Sequence, residues 1–282
     1  IIVLKFGGTS VGSIHRIKKV SKIVKSYTKK YKVIILSSAM SGTTNKLIDM
    51  SKKISDNFAD NEYDTLVSAG EQISCSLLAG QLIENGVQAR SLMAWQIPII
   101  TEGQHKYSRI KYIYKKRILK FLNVGIVPVV AGFQGINKDL KITTIGRGGT
   151  DASAIMFAKF FKADRCVIYT DVEGVFTTDP NKLKKAKKIK NISYEEMLEM
   201  ASLGSKVMQP HSIQDARLNR INIEVKSSFL NKSGTLITKK KNIINNKIIT
   251  GISSTENDSK ITLVGVNCLL YTSPSPRDSD QS

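Results

Sequence analysis

The chain has 282 residues, of which 41% are hydrophobic and 23% are charged, and its net charge is +20 at pH 7. This composition is globular and excludes a chain that is disordered throughout. The longest apolar run, 124–133, is much shorter than the roughly 18 residues of a membrane span, so we expect no membrane partner. No secretory signal is visible, and we therefore expect a cytoplasmic protein whose first residue or residues are absent from the sequence.

The excess of basic residues is a feature that nucleic-acid-binding proteins share. Here the base-rich stretches are scattered, consist mostly of lysine and lack interleaved aromatic residues: 18–32, 106–120, 182–190 and 239–241. We interpret them as solvated helix faces that help to attract anionic substrates. We therefore predict no nucleic-acid partner.

The cysteines and histidines show no metal-ligand spacing, and no CxxC motif exists: Cys75, Cys166, Cys268, His15, His105 and His211. Cys75 and Cys166 border apolar runs, which predicts reduced thiols in the core. No metal ligand and no thiolate nucleophile is predicted from them.

Hydrophobic patterning predicts strands that alternate with helices along most of the chain. Buried strands are predicted at 1–6, 33–36, 126–131, 142–145, 165–170 and 221–227. Helices are predicted after residue 12 and at 47–54, 66–82, 152–161 and 194–203, the last with a capping box formed by Ser193 and Glu196. This alternation is typical of a mainly parallel sheet with helices on both faces.

Two glycine-rich turns follow predicted strands and precede predicted helices. The first, Lys5-Phe6-Gly7-Gly8-Thr9-Ser10, can place backbone N–H groups and a lysine around an anion, although it matches neither the Walker A order nor G-x-G-x-x-G. The second, Gly146-Arg147-Gly148-Gly149-Thr150-Asp151, offers an arginine fork for a carboxylate. An ordinary tight turn remains an alternative for the first, and helix N-caps remain one for Thr150 or Asp151.

Three further segments carry weaker signals. Residues 169–180 form a hydroxyl-rich loop after a strand, which suits a nucleotide but also an ordinary surface loop. Residues 38–44 supply hydroxyls at a strand end, where open α/β sheets bind ligands. Glu71 stands in an apolar helical segment and needs a cation, which is either a substrate ammonium or a structural lysine or arginine.

Taken together, these segments resemble the aspartate kinases of the amino-acid kinase family over about residues 1–266. The resemblance rests on motifs in the right order: KFGGTSVG at 5–12, SAM at 38–40 with Thr43 and Thr44, GEQ at 70–72, VAGFQG at 130–135, TIGRGGTD at 144–151, YTDVEGVFTTDP at 169–180 and MASLGSK at 200–206. Two positions depart from the family pattern. Thr150 stands where the family more often has serine, and Gln209-Pro210-His211 stands where a His-Pro pair is common, so no role is given to His211.

The resemblance implies an amino-acid kinase-like α/β fold, a mainly parallel open sheet sandwiched by helices, for a catalytic domain at 1–238. It also implies the start of a truncated ACT-like regulatory domain at 248–266. Residues 267–282 are aperiodic, and we interpret them as a non-native tail.

The resemblance also implies the residue roles. Lys5 contacts the transferred phosphoryl group, and Asp151 orders the cationic groups around the phosphates. The implied ATP-binding residues are Lys5, Phe6, Gly7, Gly8, Ser38, Tyr169, Thr170, Asp171, Val175, Phe176, Thr177, Thr178, Asp179, Pro180 and Lys206. The implied residues for L-aspartate are Thr44, Glu71, Arg147, Gly148, Gly149 and Thr150.

The implied reaction is the ATP- and Mg²⁺-dependent phosphorylation of the aspartate side-chain carboxylate, in a protein that is a homo-oligomer at full length. A carboxylate is ionised at neutral pH, from a reference pKa near about 3.9, so no general base is required. The alternatives are another amino-acid kinase with a different carboxylate or phosphate substrate, a basic nucleic-acid-binding protein, and an inactive relative. The presence of Lys5, Arg147 and Asp151 disfavours the last.

Overall fold

The computed structural model describes residues 1–146, 148–205, 207–239 and 250–253. The helices in these residues are α1 (Ile14–Thr28), α2 (Thr43–Ile54), α3 (Asp60–Glu84), α4 (Lys116–Asn123), α5 (Gly149–Phe160), α6 (Tyr194–Ser202) and α7 (Pro210–Asn219). The strands are β1 (Ile2–Phe6), β2 (Val33–Ser37), β3 (Ala89–Leu92), β4 (Ile99–Glu102), β5 (Arg109–Ile113), β6 (Val127–Ala131), β7 (Gln134–Ile136), β8 (Ile142–Thr144), β9 (Arg165–Thr170), β10 (Asn191–Ser193), β11 (Ile223–Ser227) and β12 (Thr235–Thr238).

The main sheet has the strand order β10-β12-β11-β9-β1-β2-β6-β3. Its neighbouring strands are parallel except for the antiparallel pair β11 and β12. Because parallel strands end at the same edge, Phe6 of β1 lies beside Ser37 of β2 and Tyr169 of β9. The predicted fold class, a mainly parallel α/β sheet, is confirmed.

Helices cover both faces of this sheet and build two hydrophobic cores. On one face, Ile17 of α1 and Leu78 of α3 pack against the strands. On the other face, Phe157 of α5 and Ile213 of α7 do so. Every residue of β1 is buried, which is why this strand reads as a continuous apolar run broken only by its lysine.

A second, four-stranded sheet has the order β5-β4-β7-β8 and was largely missed by the sequence analysis. The predicted strand at 142–145 belongs to this sheet as β8 and not to the main one. The base-rich stretch 106–120, interpreted as a helix face, is wrong in part because it contains β5 before α4. In β5, Ile110 and Ile113 are buried while Arg109, Lys111 and Tyr112 are exposed, and so short a segment shows neither period clearly.

The first turn of α5 decides one of the alternatives. This helix begins at Gly149, three residues earlier than predicted, and its N-cap is Gly148, which has a φ of 74° and makes no side-chain cap hydrogen bond. Thr150 and Asp151 are therefore not N-caps. The predicted capping box of α6 is confirmed, since Ser193 Oγ accepts from the Glu196 N–H at 3.1 Å and Glu196 Oε2 accepts from the Ser193 N–H at 2.9 Å.

The two described cysteines behave as predicted. Cys75 and Cys166 are buried and free, and burial raises the pKa of Cys75 to about 12 and also raises that of Cys166. Cys268 lies outside the described residues. No helix in the described part of the chain is long and apolar enough to cross a bilayer.

Little of the predicted ACT-like segment can be compared with the structure. Residues 250–253 of the run 248–266 are described, and they form no strand. The Ile252 N–H donates to the Thr177 carbonyl at 2.7 Å, and Thr250 Oγ1 donates to Glu196 Oε1 at 2.6 Å. The remainder of that run and residues 267–282 lie outside the described residues, and the domain boundaries stay a prediction.

Candidate active site

An ion pair between Lys5 and Asp151 marks the carboxyl edge of the main sheet. Side chains alternate along β1, so Lys5 points to the same face as Val3, which packs in the core under α5. Asp151 lies in the first turn of α5, and its Oδ1 is 2.7 Å from Lys5 Nζ. Each side chain is only 11% exposed, so a cation is held almost out of water at the end of a central strand.

The first glycine-rich turn fits tightly between the ends of β2 and β9. The Gly7 N–H donates to the Tyr169 carbonyl, the Ser38 N–H donates to the Phe6 carbonyl and the Ser41 N–H donates to the Gly8 carbonyl, each at 3.1 Å. A Cβ atom on Gly7 would lie 3.3 Å from Lys5 Nζ. Gly7 therefore serves the site through the space that it leaves beside Lys5, since its N–H is already bonded.

Gly8 is the tighter position of this turn, because a Cβ atom there would lie 2.9 Å from the Ala39 carbonyl oxygen. We expect Gly8→Ala to lower the free energy of unfolding by about 1–3 kcal/mol through overpacking and to raise the KM for ATP. Urea unfolding and nucleotide kinetics measure the two effects.

A matched control for that substitution is Gly80→Ala, at an exposed position within the C-terminal part of α3. No atom lies within 4 Å of a Cβ at Gly80, so the control is expected to gain about 0.5–1 kcal/mol of stability and to leave both KM values unchanged. Equal behaviour of the two variants would contradict the close fit of the turn.

Glu71 on α3 is a buried carboxylate with one oxygen unsatisfied. Its Oε1 accepts from the Ala39 N–H at 2.9 Å, and its Oε2 has no hydrogen-bond partner among the described residues. Burial raises the pKa of Glu71 to about 8, and the Ala39 N–H opposes part of this rise. Within the described ranges Glu71 Oε2 is unpaired and no lysine or arginine affects the pKa of Glu71, which favours the substrate ammonium over a structural cation.

The second glycine-rich turn lies next to residues that the sequence analysis set aside. Gly148 has a φ of 74°, and a Cβ atom on it would lie 2.5 Å from Gln209 Cγ and 3.5 Å from His211 Cε1. The start of α7 therefore packs directly on this turn. In the sequence, the only signal for the start of α7 was the departure of Gln209-Pro210-His211 from the family's His-Pro pattern. Arg147, the arginine of this turn, lies outside the described residues.

The two threonines predicted for the substrate lie at helix starts. Thr150 is buried in the first turn of α5 against Gly132, where a Cβ atom would be 2.5 Å from Thr150 Cγ2. Thr44 is half-buried in the first turn of α2. Ser38, predicted to lie near the phosphates, is half-buried beside the first glycine-rich turn.

The side chains of Phe6 and Tyr169 face away from Lys5. Their rings stack with centroids 4.8 Å apart, and the Tyr169 hydroxyl donates to the Tyr27 hydroxyl at 3.0 Å. Both rings belong to the core on the α1 and α3 face. A nucleotide over Lys5 can therefore meet these two residues only through their backbone.

The predicted nucleotide loop leaves β9 and folds back on itself. Thr170 Oγ1 donates to Asp171 Oδ1 at 3.0 Å, and the Ser228 N–H donates to the Thr170 carbonyl at 3.0 Å. Two backbone hydrogen bonds close this loop: the Ile189 N–H donates to the carbonyl of the buried Val175, and the Thr177 N–H donates to the Lys187 carbonyl. The remaining predicted residues are half-buried or exposed along this hairpin: Phe176, Thr178, Asp179 and Pro180. Lys206 lies outside the described residues.

Comparison with known proteins gives a consistent result. Residues 1–227 match the amino acid kinase family. The chain is 45% identical to the aspartokinase of Geobacillus stearothermophilus over 96% of its length and 67% of the relative. It is also 45% identical to the aspartate kinase of Pseudomonas putida, over 94% of this chain and 65% of the relative. The chain thus spans about two thirds of these curated relatives.

Solved structures agree. An aspartate kinase from Synechocystis is 42% identical with a TM-score of 0.75, covering 85% of this chain and 40% of that one. E. coli aspartokinase III in complex with aspartate and ADP is 28% identical with a TM-score of 0.77, covering 85% and 65%. A UMP kinase from Bacillus anthracis, 19% identical with a TM-score of 0.63 over 85% of this chain and 96% of that one, shares the fold alone. The resemblance noted from the motifs is confirmed, and the chain belongs to the amino acid kinase family, with aspartokinases as its close relatives.

Proposed function

We propose that this chain transfers the terminal phosphoryl group of ATP to the side-chain carboxylate of L-aspartate and so forms 4-phospho-L-aspartate, the first step of lysine, threonine and methionine biosynthesis. The observation that carries this proposal is the 45% identity to aspartokinases along nearly the whole chain. The E. coli relative bound to aspartate and ADP, at 28% identity, supports the same pair of ligands.

The Lys5 and Asp151 pair supports a mechanism of positioning and charge neutralisation. The nucleophile is already an anion, so the catalytic task is to bring it against a polyanion. Lys5 neutralises charge on the transferred group, and Asp151, 2.7 Å away, holds the ammonium at the end of β1. Gly7 leaves room for phosphate oxygens beside Lys5, and Gly8 lets the turn pack closely against Ala39.

Aspartate is recognised at both of its charged ends. Glu71 pairs with the ammonium through its unsatisfied oxygen, which lies at the α3 side of the site. Arg147 pairs with a carboxylate, as the family resemblance implies. Thr44, Thr150 and the backbone of Gly148 and Gly149 add hydrogen bonds from the starts of α2 and α5.

The nucleotide lies over the carboxyl ends of β1 and β9. The exposed Asp171 suits ribose hydroxyls, and the backbone of 175–180 and Lys206 complete this side of the site. Phe6 and Tyr169 contribute backbone groups only, because their rings stack in the opposite core.

Magnesium is proposed to reach the site with the nucleotide. Within the described residues no group of three or more acidic, histidine or cysteine side chains could hold a metal ion, and Asp151 is already bonded to Lys5. Mg²⁺ keeps several waters and accepts phosphate oxygens as ligands, so this donor set fits a phosphate-bound ion. When bound, the ion neutralises charge on the phosphates. Cytoplasmic location, a homo-oligomer and the absence of nucleic-acid partners remain predictions.

A hydroxamate assay tests the function directly. The purified chain is incubated with ATP, Mg²⁺, hydroxylamine and one candidate acceptor, while ADP release is followed in parallel. We expect hydroxamate and ADP with aspartate, and neither with glutamate or without ATP. ADP release with a nucleoside monophosphate, without hydroxamate, would favour the alternative of a family member that acts on a phosphate substrate. Absence of hydroxamate from aspartate would overturn the proposal.

A further inference from the structure

A second buried carboxylate, Asp64, lies near the start of α3 and has no role in the site described so far. It is fully buried, and its two oxygens accept hydrogen bonds from three directions. Thr144 Oγ1 donates at 2.5 Å, His105 Nδ1 donates at 2.7 Å, and the Lys106 N–H lies 3.1 and 3.2 Å from the two oxygens. We call these residues, Asp64, His105, Lys106 and Thr144, the Asp64 cluster.

The Asp64 cluster joins three separate parts of the chain. Asp64 belongs to α3, His105 and Lys106 belong to the loop between β4 and β5, and Thr144 is the last residue of β8. A buried carboxylate is costly unless its oxygens are satisfied, so this arrangement is stable only while all three parts stay together. Lys106 has a φ of 69°, a conformation that a non-glycine residue holds only when its surroundings fix it.

The cluster lies directly against the start of the second glycine-rich turn. Thr144 precedes Gly146 by two residues, and the Ser108 N–H donates to the Thr144 carbonyl at 3.0 Å. A Cβ atom on Gly146 would lie 3.2 Å from the Lys106 carbonyl oxygen, so the loop and the turn are in contact. The Gly149 N–H donates to the Gly146 carbonyl at 3.0 Å. The position of Gly146 therefore also fixes the position of the first residue of α5.

Asp64 and Glu71 are seven residues apart on α3, which is close to two helical turns and puts them on one face. Glu71 bonds to the segment after β2 through the Ala39 N–H, while Asp64 bonds to the segment before the second glycine-rich turn. One helix face therefore contacts both sides of the space assigned to aspartate.

We propose that Asp64 is a positioning residue that holds Gly146 and the start of α5 in the geometry that binds the amino-acid substrate. This inference rests on the proposed function for the identity of that substrate. Asp64 touches neither substrate nor nucleotide and acts through Thr144 and Lys106. Lys106 Nζ is itself directed away, 2.5 Å from Asp60 Oδ1 and over the Tyr63 ring, so Asp64 meets the backbone of Lys106 and not its charge.

The test compares three variants of the purified chain: Asp64→Asn, Thr144→Val and the control Thr143→Val. Thr143 is the neighbouring residue of β8 and is as buried as Thr144. Its hydroxyl forms a hydrogen bond with Thr101 Oγ1 at 2.6 Å and does not contact Asp64. Thr143→Val and Thr144→Val thus each remove one buried hydroxyl from the same strand.

We expect Asp64→Asn to raise the KM for aspartate by about tenfold or more, and Thr144→Val to raise it by several fold, because a small displacement of binding groups is costly. The KM for ATP and kcat should change much less. Thr143→Val should lose similar thermal stability and keep its aspartate KM. Equal KM values in Thr144→Val and Thr143→Val would reduce the cluster to a purely structural role and overturn the proposal.

Amide hydrogen exchange supplies a readout that does not depend on the reaction. Peptides covering 104–108 and 144–150 should exchange faster in Asp64→Asn than in Thr143→Val. Unchanged exchange over 144–150 overturns the positioning role whatever the kinetics show. If the unmodified chain forms no acyl phosphate from aspartate, the proposed function fails, while faster exchange still supports the anchoring of the turn by Asp64.

Discussion

Lys5→Ala is expected to lower kcat for aspartate phosphorylation by about a thousandfold or more, with a much smaller change in the KM for aspartate. Charge on the transferred phosphoryl group is greatest in the transition state, and Lys5 is the described cation at the end of β1, 2.7 Å from Asp151. Stopped-time assays of ADP and acyl phosphate measure the effect. A kcat within a few fold of the unmodified value would show that Lys5 has another role.

The control for Lys5 has to separate lost chemistry from lost stability. Removal of Lys5 leaves Asp151 as an almost buried carboxylate without its partner, which destabilises the fold. Lys5→Met keeps the length of the side chain, and the double variant Lys5→Met with Asp151→Asn also removes the stranded charge. The double variant should recover thermal stability but not activity. Recovery of both would assign the loss to unfolding.

Much of the main sheet could be predicted from the sequence because its strands are buried on both faces. The runs of β1, β2, β6 and β9 are mostly apolar and end in or just before glycine or hydroxyl residues, so their parallel direction follows from alternation with helices. Their order in the sheet was not predicted. Since parallel strands end together, the motifs after them had to meet at one edge. The residue pair across that edge, Lys5 with Asp151, is a consequence of this topology.

The second sheet and the Asp64 cluster could not be predicted for a physical reason. The strands of that sheet have three to five residues, which is too few to separate a period of 2 from one of 3.6. Asp64 reads as one more polar residue near a helix start, where acidic residues are common. Only the packing of β8 and of the loop between β4 and β5 on α3 gives this carboxylate its three partners.

The directions of the side chains at the carboxyl ends of β1 and β9 could not be predicted from the sequence either. Phe6 and Tyr169 were themselves predicted to bind ATP. Phe6 follows Lys5 by one position, and Tyr169 lies beside Phe6 in the sheet, so both side chains face the opposite core. Gln209 and His211 are the reverse case. They are remote in sequence from the second glycine-rich turn, and the fold brings them against Gly148.

Glu71→Gln is expected to raise the KM for aspartate by about thirtyfold or more, because it removes one charge of a buried pair while keeping the size of the side chain. The variant amide can still accept from the Ala39 N–H, which now bonds to Oε1 at 2.9 Å, so the segment after β2 should keep its place. Steady-state kinetics with aspartate varied, alongside thermal unfolding, separates binding from stability. An unchanged KM in a stable variant would exclude Glu71 as the ammonium partner.

The pH dependence of the same variant follows from the raised pKa of Glu71. Burial places that pKa at about 8, above the ordinary value of 4.5, so between these values the folded chain holds a proton that the unfolded chain has released. Stability from this group is therefore present below about pH 4.5 and is lost as the pH rises through about 8. Glu71→Gln cannot lose this proton, and the melting temperature of the variant should gain on that of the unmodified chain as the pH rises from about 4.5 to about 8, with the gain levelling off above 8.

Binding of aspartate has the opposite dependence on pH. An ammonium pairs with Glu71 only when the carboxylate is ionised, so below about pH 8 each aspartate that binds must release the proton from Glu71. The KM for aspartate should then fall by up to about tenfold for each unit of pH between 6 and 8, and level off above 8. Glu71→Gln has no such proton to release, and its higher KM should stay flat over the same range. A parallel slope in both proteins would assign the titration to another group, and with it the raised pKa of Glu71 would have no part in substrate binding.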